Sequence, residues 1–359
     1  MQANMIKNFK EKYPAKNRID FKFAECRIAV STNEKAIVDY LAEYFEPFVV
    51  NNIDDHKEVI TINVCQAPVP ELPISFTVKT PDPGKTKIKE EYADIDSFRI
   101  VRKRLTGMVF FFSEDEHLAL GPCLDNLNQV VNFINNRFIQ WKLCHGCLLG
   151  HSAAVILKDK GLSMAGFSGA GKSTLALHLM NYDGIFVSND RLMIEKQNNG
   201  KSLLMHGVAK LPRINPGTAL NNPNLIDVMN PEDRDRFSKL STQDLWNLEH
   251  KYDVPIDRCF GANKFILSNT MHALVILNWK NGQGETIVKE VNPAERKDLL
   301  PAFMKSTGLF FLQSNECNMP EPVIENYIDH LALCKVIEIS GGIDFKKASE
   351  ACISQLEQI

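Results

Sequence analysis

The sequence predicts an α/β chain in two modules: a small α+β module over residues 1–125 and a larger one over 126–359, where strands and helices surround a glycine-rich loop. Three observations predict this. The segment Gly166-Phe167-Ser168-Gly169-Ala170-Gly171-Lys172-Ser173-Thr174 lies between an apolar run at 162–165 and a stretch at 173–180 with good helix formers and no breaker. A second apolar run, 153–157, stands just upstream across a Lys158-Asp159-Lys160-Gly161 turn, so the two runs read as a hairpin. Before 126, short strands and one helix alternate without any motif to which chemistry attaches.

Element by element, the first module reads as a strand at 26–30 and a helix at 34–45 with apolar spacing at Ile37, Leu41 and Tyr44. Strands follow at 59–64 and 76–78, then a loop at 80–89 rich in Pro, Gly and Lys. Residues 98–101 and 107–113 form a hairpin around 103–106. The basic run Arg102-Lys103-Arg104 is better explained by a solvated turn than by a binding patch. An amphipathic helix at 126–143, with Val130, Ile134, Phe138 and Trp141 on one face, joins the modules. In the second module 185–187 is a buried strand ending at Ser188-Asn189-Asp190, and 192–195 pairs with 202–205 around 197–200. Residues 211–225, rich in Pro, Asn and Gly, read as a long irregular loop of the kind that is often functional. A strand at 273–279 follows. Asn292-Pro293-Ala294-Glu295 then reads as a helix start, with Asn as N-cap and Pro at the first position. A last strand at 336–339 and a closing helix at 345–357 complete the chain.

The glycine-rich segment is a complete G-x-x-x-x-G-K-S loop. Its glycines let the backbone wrap closely enough for several N–H groups to face one phosphate chain. Gly166, Ser168, Gly169, Ala170, Gly171, Lys172, Ser173 and Thr174 are the candidate nucleotide contacts. Lys172 offers a mobile positive charge for β- and γ-phosphates, and Ser173 a hydroxyl for Mg²⁺. Strand, loop and helix together aim a helix N-terminus at an anion. The bland alternative is a chance glycine-rich turn.

Composition narrows the rest. Over 359 residues, 44% apolar and 24% charged content is the profile of an ordinary soluble protein. A net charge of −3 speaks against bulk attraction to nucleic acid or an anionic membrane. Residues 1–20 are polar and charged, unlike a signal peptide. The longest nearly apolar stretch, about 147–157, is too short to span a bilayer and is broken by His151 and Ser152. Nine cysteines, an odd count with most isolated in apolar settings (Cys26, Cys65, Cys334, Cys352), fit a cytoplasmic chain with reduced, buried thiols. Cys144-His145-Gly146-Cys147 could hold zinc or do redox chemistry. No second close pair exists for zinc, and the stretch follows a helix instead of opening one, so two core thiols fit better.

Around the loop, Asp190 stands at the end of a strand 18 residues after Lys172, where a Mg²⁺ nucleotide site needs a carboxylate. A turn aspartate capping a hairpin is the other reading. His151 opens the strand leading into the loop hairpin, although a lone histidine in an apolar stretch is commonly a satisfied core residue. Arg213, between two prolines in Pro212-Arg213-Ile214-Asn215-Pro216, is either a phosphate clamp or a surface arginine.

From His151 to Thr218 these residues resemble the HPr kinase/phosphorylase superfamily, more narrowly the HPr-kinase-related proteins, with a fainter echo in Val336-Ile337-Glu338-Ile339-Ser340-Gly341-Gly342-Ile343-Asp344-Phe345. That family places a histidine at the head of a strand about fifteen residues before its first loop glycine, as His151 and Gly166 stand. Its loop resembles Gly-x-Ser-Gly-x-Gly-Lys-Ser, reproduced from Gly166 to Ser173 with Ser168 included. The resemblance implies a P-loop core of mixed strands, shared distantly with phosphoenolpyruvate carboxykinase. It implies phosphate transfer from ATP, with Mg²⁺, to a serine on a small protein. Some members also run the reverse phosphorolysis, and many are oligomers, which implies a homo-oligomer. It also raises His151 and Asp190 as active-site residues. One departure stands out: where the family has two aspartates, the first expected as general base, this chain has Asn189-Asp190. An amide cannot accept a proton at neutral pH, and a positioned base contributes about 10²–10⁴ in rate. Either Asp190 or His151 takes over, or the reaction leans on electrostatic positioning, or the protein binds nucleotide without being a competent kinase. The family's Arg- and Gly-rich segment after the core is not recognisable, and Arg213 is the best substitute.

The expected function is an ATP-dependent kinase acting on a hydroxyl, a serine on a partner protein. Lys172, His151, Asp190 and Arg213 take catalytic roles, and Ser173 and Asp190 hold Mg²⁺. The N-terminal module recognises the partner or mediates assembly. The rival is a nucleotide-dependent switch in which the 211–225 loop closes on ATP. A small-molecule kinase or a decarboxylating enzyme is a third reading. Neither nucleic acid nor membrane is an expected partner.

Overall fold

Two nine-stranded mixed sheets organise the chain in a computed structural model that describes residues 2–51, 58–81, 86–198, 200–241, 244–245, 248, 250–280, 282–313, 317 and 321–359. One unit comprises Met1–His145 with Thr307–Met319, the other Gly146–Ser306 with Pro320–Ile359. Parts of the expected loop at 80–89 (82–85) and of the expected turn at 197–200 (199) lie outside the described residues.

The first unit contains α1 (Gln2–Lys12), β1 (Asn17–Phe23), β2 (Cys26–Thr32), α2 (Lys35–Tyr44), β3 (Val49–Val50), β4 (Ile60–Gln66), β5 (Thr77–Val78), β6 (Glu90–Ile95), β7 (Phe98–Lys103), β8 (Val109–Phe112), β9 (His117–Gly121) and α3 (Leu127–Cys144). Its sheet runs β3-β1-β2-β4-β9-β8-β7-β6-β5, parallel only at β2–β4 and β4–β9. The period-2 alternation of β8 shows why both faces are covered. Phe111 joins Ile6, Leu118 and Leu120 in a cluster under α1, while Phe110 and Phe112 face Phe133 of α3, with Phe110 at 4.9 Å between ring centroids. Val130, Ile134 and Phe138 of α3 are buried, as their helical spacing predicts.

Arg102 and Lys103 are strand residues and not a solvated turn: Lys103 stands opposite Glu90, Arg102 opposite Glu91, and each pair forms a salt bridge. Cross-strand neutralisation removes the basic patch. The cysteines need a second correction. Cys144, the last residue of α3, is exposed and disulfide-bonded to Cys317, 173 residues on, with Cα atoms 4.9 Å apart. The expectation that all thiols are reduced therefore fails. The pairing is set by a distant segment that local sequence cannot reveal. The seven other cysteines form no disulfide among the described residues. Among the described residues no helix is long and apolar enough to cross a membrane.

His117 of β9 is 7% exposed, and its Nδ1 is buried without a hydrogen-bond partner among the described residues. Burial, aided by the charge of Arg137, pushes its pKa from 6.5 down to about 3. The unfolded chain therefore binds a proton near 6.5 that the folded chain refuses. This contribution to stability is complete above 6.5 and lost as pH falls toward 3, at about 1.4 kcal/mol per pH unit. Urea unfolding should show this slope below about pH 6.5, and His117→Gln should flatten it by one proton's worth. An unchanged slope in the variant would assign the linkage to other groups.

The second unit contains β10 (Leu148–Gly150), β11 (Ser152–Leu157), β12 (Lys160–Gly166), α4 (Lys172–Met180), β13 (Ile185–Ser188), β14 (Leu192–Lys196), β15 (Leu203–His206), β16 (Arg213–Ile214), α5 (Pro216–Leu220), α6 (Pro231–Ser238), β17 (Tyr252–Asp253), α7 (Ile256–Phe260), β18 (Ser268–Trp279), β19 (Thr286–Glu290), α8 (Ile324–Leu331), β20 (Lys335–Gly341) and α9 (Phe345–Glu357). The sheet order is β10-β14-β15-β18-β12-β11-β13, with β20 beside β18 and β19 beside β20. Among the named strands of the described residues only β12–β18 and β18–β20 are parallel, so the expected mixed α/β architecture is present. One face buries Ile156, Ile194, Met205, Leu274 and Ile276 against Leu300, Phe303, Tyr327 and Leu331. Helix α4 packs on β11 and β12, and α9 packs on α4.

Two local expectations are overturned. Residues 211–225 are not irregular throughout: they hold β16, α5 and the start of a 3-10 helix, Pro223–Val228. Pro216 and Pro223 each occupy a helix N-terminal position, where a missing N–H costs nothing. Asn292 starts no α-helix. Its side chain caps a turn by accepting from the Ala294 N–H at 3.0 Å, and a 3-10 helix begins only at Lys297.

Candidate functional site

The glycine-rich segment joins the end of β12 at Gly166 to the start of α4 at Lys172. Phe167 to Ala170 make a turn closed by the Ala170 N–H on the Phe167 carbonyl at 3.1 Å. Gly169 and Gly171 take φ of +81° and +87°, which side chains other than glycine rarely adopt. The Ala170 carbonyl accepts from the Trp279 indole at 2.8 Å, anchoring the turn to β18. Thr174 touches Thr218 of α5 through a hydroxyl pair at 3.1 Å.

Lys172 is 9% exposed and donates to the Gly166 carbonyl at 2.7 Å. Burial lowers its pKa, Asp190 opposes that shift, and the charges of Arg191 and Lys305 add to it. An ammonium among other cations gains from a polyanion that relieves the repulsion.

Asp190 follows β13 and brings two predicted residues together. Its Oδ1 lies 3.1 Å from His151 Nδ1, and its Oδ2 accepts from Arg191 Nη1 at 2.6 Å. Burial raises its carboxyl pKa, yet the His151 hydrogen bond and the charges of Arg191, His151 and Lys210 hold it well below the usual carboxylate range. His151 is positioned by backbone pairing: its N–H donates to the Phe303 carbonyl at 2.6 Å, and the Lys305 N–H to the Leu149 carbonyl at 3.1 Å. Arg213 stands apart, half-exposed on β16, with its Nε 3.3 Å from Asp253 on β17. Lys210 connects the two regions electrostatically: burial lowers its pKa, and it feels Asp190, Arg191, Arg213 and Asp253.

Sequence reasoning missed Arg191, Lys210 and Lys305. Arg191 was legible as the neighbour of Asp190, whereas Lys305 reaches the cluster only through the pairing of Met304 with Gly150. Oxygen donors suited to Mg²⁺ are at hand in the Ser173 hydroxyl on the first turn of α4 and in the Asp190 carboxylate. Asn189 Oδ1 is buried without a hydrogen-bond partner among the described residues, an acceptor suited to a donor or cation.

No protein-family model matches the chain, and no curated protein matches its sequence. Among solved structures it is similar to the Hpr(Ser) kinase/phosphatase from Coxiella burnetii, at 10% identity and a TM-score of 0.32, over 58% of this chain and 91% of that one. A likeness of that size says nothing about activity. The chemistry must be read from the site's own geometry.

Gly171→Ala tests that geometry. A Cβ there would lie 2.6 Å from the Phe345 ring, and the left-handed backbone costs an L-residue a further ~1–2 kcal/mol. If this loop holds ATP, the variant should lose at least about tenfold in affinity with the fold retained. Wild-type affinity measured by calorimetry would show that loop shape does not control binding.

Proposed function

We propose that the second unit belongs to an HPr-kinase-like P-loop kinase module, residues 126–359, which transfers the γ-phosphate of Mg-ATP to a serine hydroxyl on a partner protein. One observation carries this reading: Lys172 at the head of α4 shares its electrostatic field with an ionised Asp190 held by His151 and Arg191. Backbone N–H groups from 166–173, apart from the Ala170 N–H held by the Phe167 carbonyl, hold the phosphates, and Lys172 exchanges its carbonyl partners for phosphate oxygens. Mg²⁺ held by Ser173 and Asp190 supplies charge neutralisation on the phosphate oxygens. His151 and Arg191 orient the Asp190 carboxylate, and Lys210 and Arg213 steady the transferring group. Asn189 accepts a hydrogen bond from the acceptor hydroxyl without removing its proton, which passes to a phosphoryl oxygen as the new O–P bond forms and the bond to ADP breaks, as in a loose, positioning-driven transfer. The N-terminal module recognises the partner or mediates assembly.

A second reading, a nucleotide-dependent switch with little transfer, is favoured by Asn189 alone. Incubation with Mg²⁺, γ-labelled ATP and a soluble lysate of the source organism, with Lys172→Ala as blank, separates the two. Label on a discrete protein supports the kinase. ATP binding without labelled protein supports the switch. Asn189→Asp should raise transfer by up to about 10²–10⁴, and an unchanged rate would show that position 189 does not act as the base.

A further inference from the structure

Three strands of the second unit place a thiol, a carboxylate and an imidazole together, away from the loop. Leu148 pairs with Ile194 in the antiparallel β10–β14 register, so Cys147 stands opposite Glu195. Met193 pairs with His206 and Glu195 with Leu204, so Glu195 and His206 share that face of the sheet. The ligand atoms of all three residues lie within 4.8 Å of one another. Cys147 Sγ is 3.4 Å from Glu195 Oε2, and His206 Nε2 is 2.7 Å from Glu195 Oε1. Cys147 and His206 are 0% and 2% exposed, whereas Glu195 is partly exposed and offers an entry path.

We infer that Cys147, Glu195 and His206 form a zinc site with a fourth position open to water. Sulfur and nitrogen donors disfavour Mg²⁺ and Ca²⁺, while a Cys–His–carboxylate set suits Zn²⁺. Ser268 Oγ lies 2.7 Å from His206 Nδ1 and orients the ring with Nε2 toward Glu195, and the metal would replace that Nε2–Glu195 hydrogen bond. Ligand atoms around tetrahedral zinc sit roughly 3.3–3.8 Å apart, given bonds of about 2.0–2.3 Å. The present spacing reaches that by side-chain rotation on fixed strands. The Cys147 thiol releases its proton to solvent on binding. The ion would pin β10, β14 and β15 together. At the other end of the same strand pair, Gly150 and Leu192 adjoin His151 and Arg191, so the site braces the strands that carry the Asp190 cluster.

The test uses metal-depleted full-length protein titrated with Co²⁺ as a spectroscopic stand-in. One equivalent should bind, with a near-ultraviolet thiolate-to-cobalt band and intense visible bands of four-coordinate cobalt, and Zn²⁺ should displace it. Cys147→Ser should lose the thiolate band. Cys259→Ser, at a cysteine outside the cluster, should keep it. Glu195→Gln should keep the band but weaken affinity at least about tenfold, which leaves a test if Cys147→Ser fails to fold by circular dichroism. Absence of the thiolate band in the wild type, its survival in Cys147→Ser, or unchanged affinity in Glu195→Gln would each overturn the assignment.

Discussion

Lys172→Ala is expected to weaken Mg-ATP binding by one to two orders of magnitude and to abolish phosphoryl transfer. Lys172 lies against the loop backbone, donating to the Gly166 carbonyl at 2.7 Å, and burial strengthens every charge interaction it makes. A charge-assisted hydrogen bond is worth about 1.5–3 kcal/mol, and removal of a cation that stabilises a developing oxyanion costs about 10²–10³ in rate. Calorimetric affinity should therefore fall by one to two orders of magnitude, and labelled transfer should vanish into background. Lys172→Met, which keeps most of the buried stem, separates charge from packing: it should match Lys172→Ala in binding while melting closer to wild type. Unchanged Mg-ATP affinity in either variant would sink the site assignment.

Asp190→Ala is expected to split binding from chemistry. The carboxylate stays ionised because the His151 hydrogen bond and the Arg191, His151 and Lys210 charges outweigh the cost of its burial. Its pKa lies below the usual range, so its charge is present at neutral pH and is lost only in strong acid. Without it, the proposed metal ligand disappears and Lys172, Arg191 and Lys210 lose the anion that offsets their mutual repulsion. Transfer should drop by about 10³ or more. Affinity for Mg-ATP should fall modestly, whereas affinity for metal-free ATP should rise severalfold, and most at low ionic strength. Retained transfer in Asp190→Ala, or metal-free affinity that does not rise, would remove the metal and catalytic roles given to this residue.

Much of the second unit was legible because its signals are local. The hairpin of β11 and β12, the β13 strand, the β14–β15 pair and the closing α9 follow from apolar runs, turn residues and helical spacing within a few residues of each other. The loop was legible for the same reason: Gly169 and Gly171 sit where the backbone needs positive φ. His151 and Asp190 were singled out by position relative to the loop, and the fold brings them to 3.1 Å. The N-terminal helix α1 was not assigned, because Ile6 and Phe9 mark its buried side too briefly to stand out in a polar stretch.

By itself, then, the sequence determined the loop, the strand–loop–helix order around it and the substitution at Asn189, since each is a property of contiguous residues. Only the tertiary structure decided which distant groups meet. Lys305 is brought beside β10 by the Met304–Gly150 pairing, where its charge acts on Lys172, and Cys144 finds Cys317 across 173 residues. Cys147, read from sequence as a core thiol, stands beside Glu195 and His206 because three strands align in register. Chain neighbours are constrained by backbone sterics and periodicity. Residues far apart are joined only by the packing of whole sheets, whose register no local pattern records.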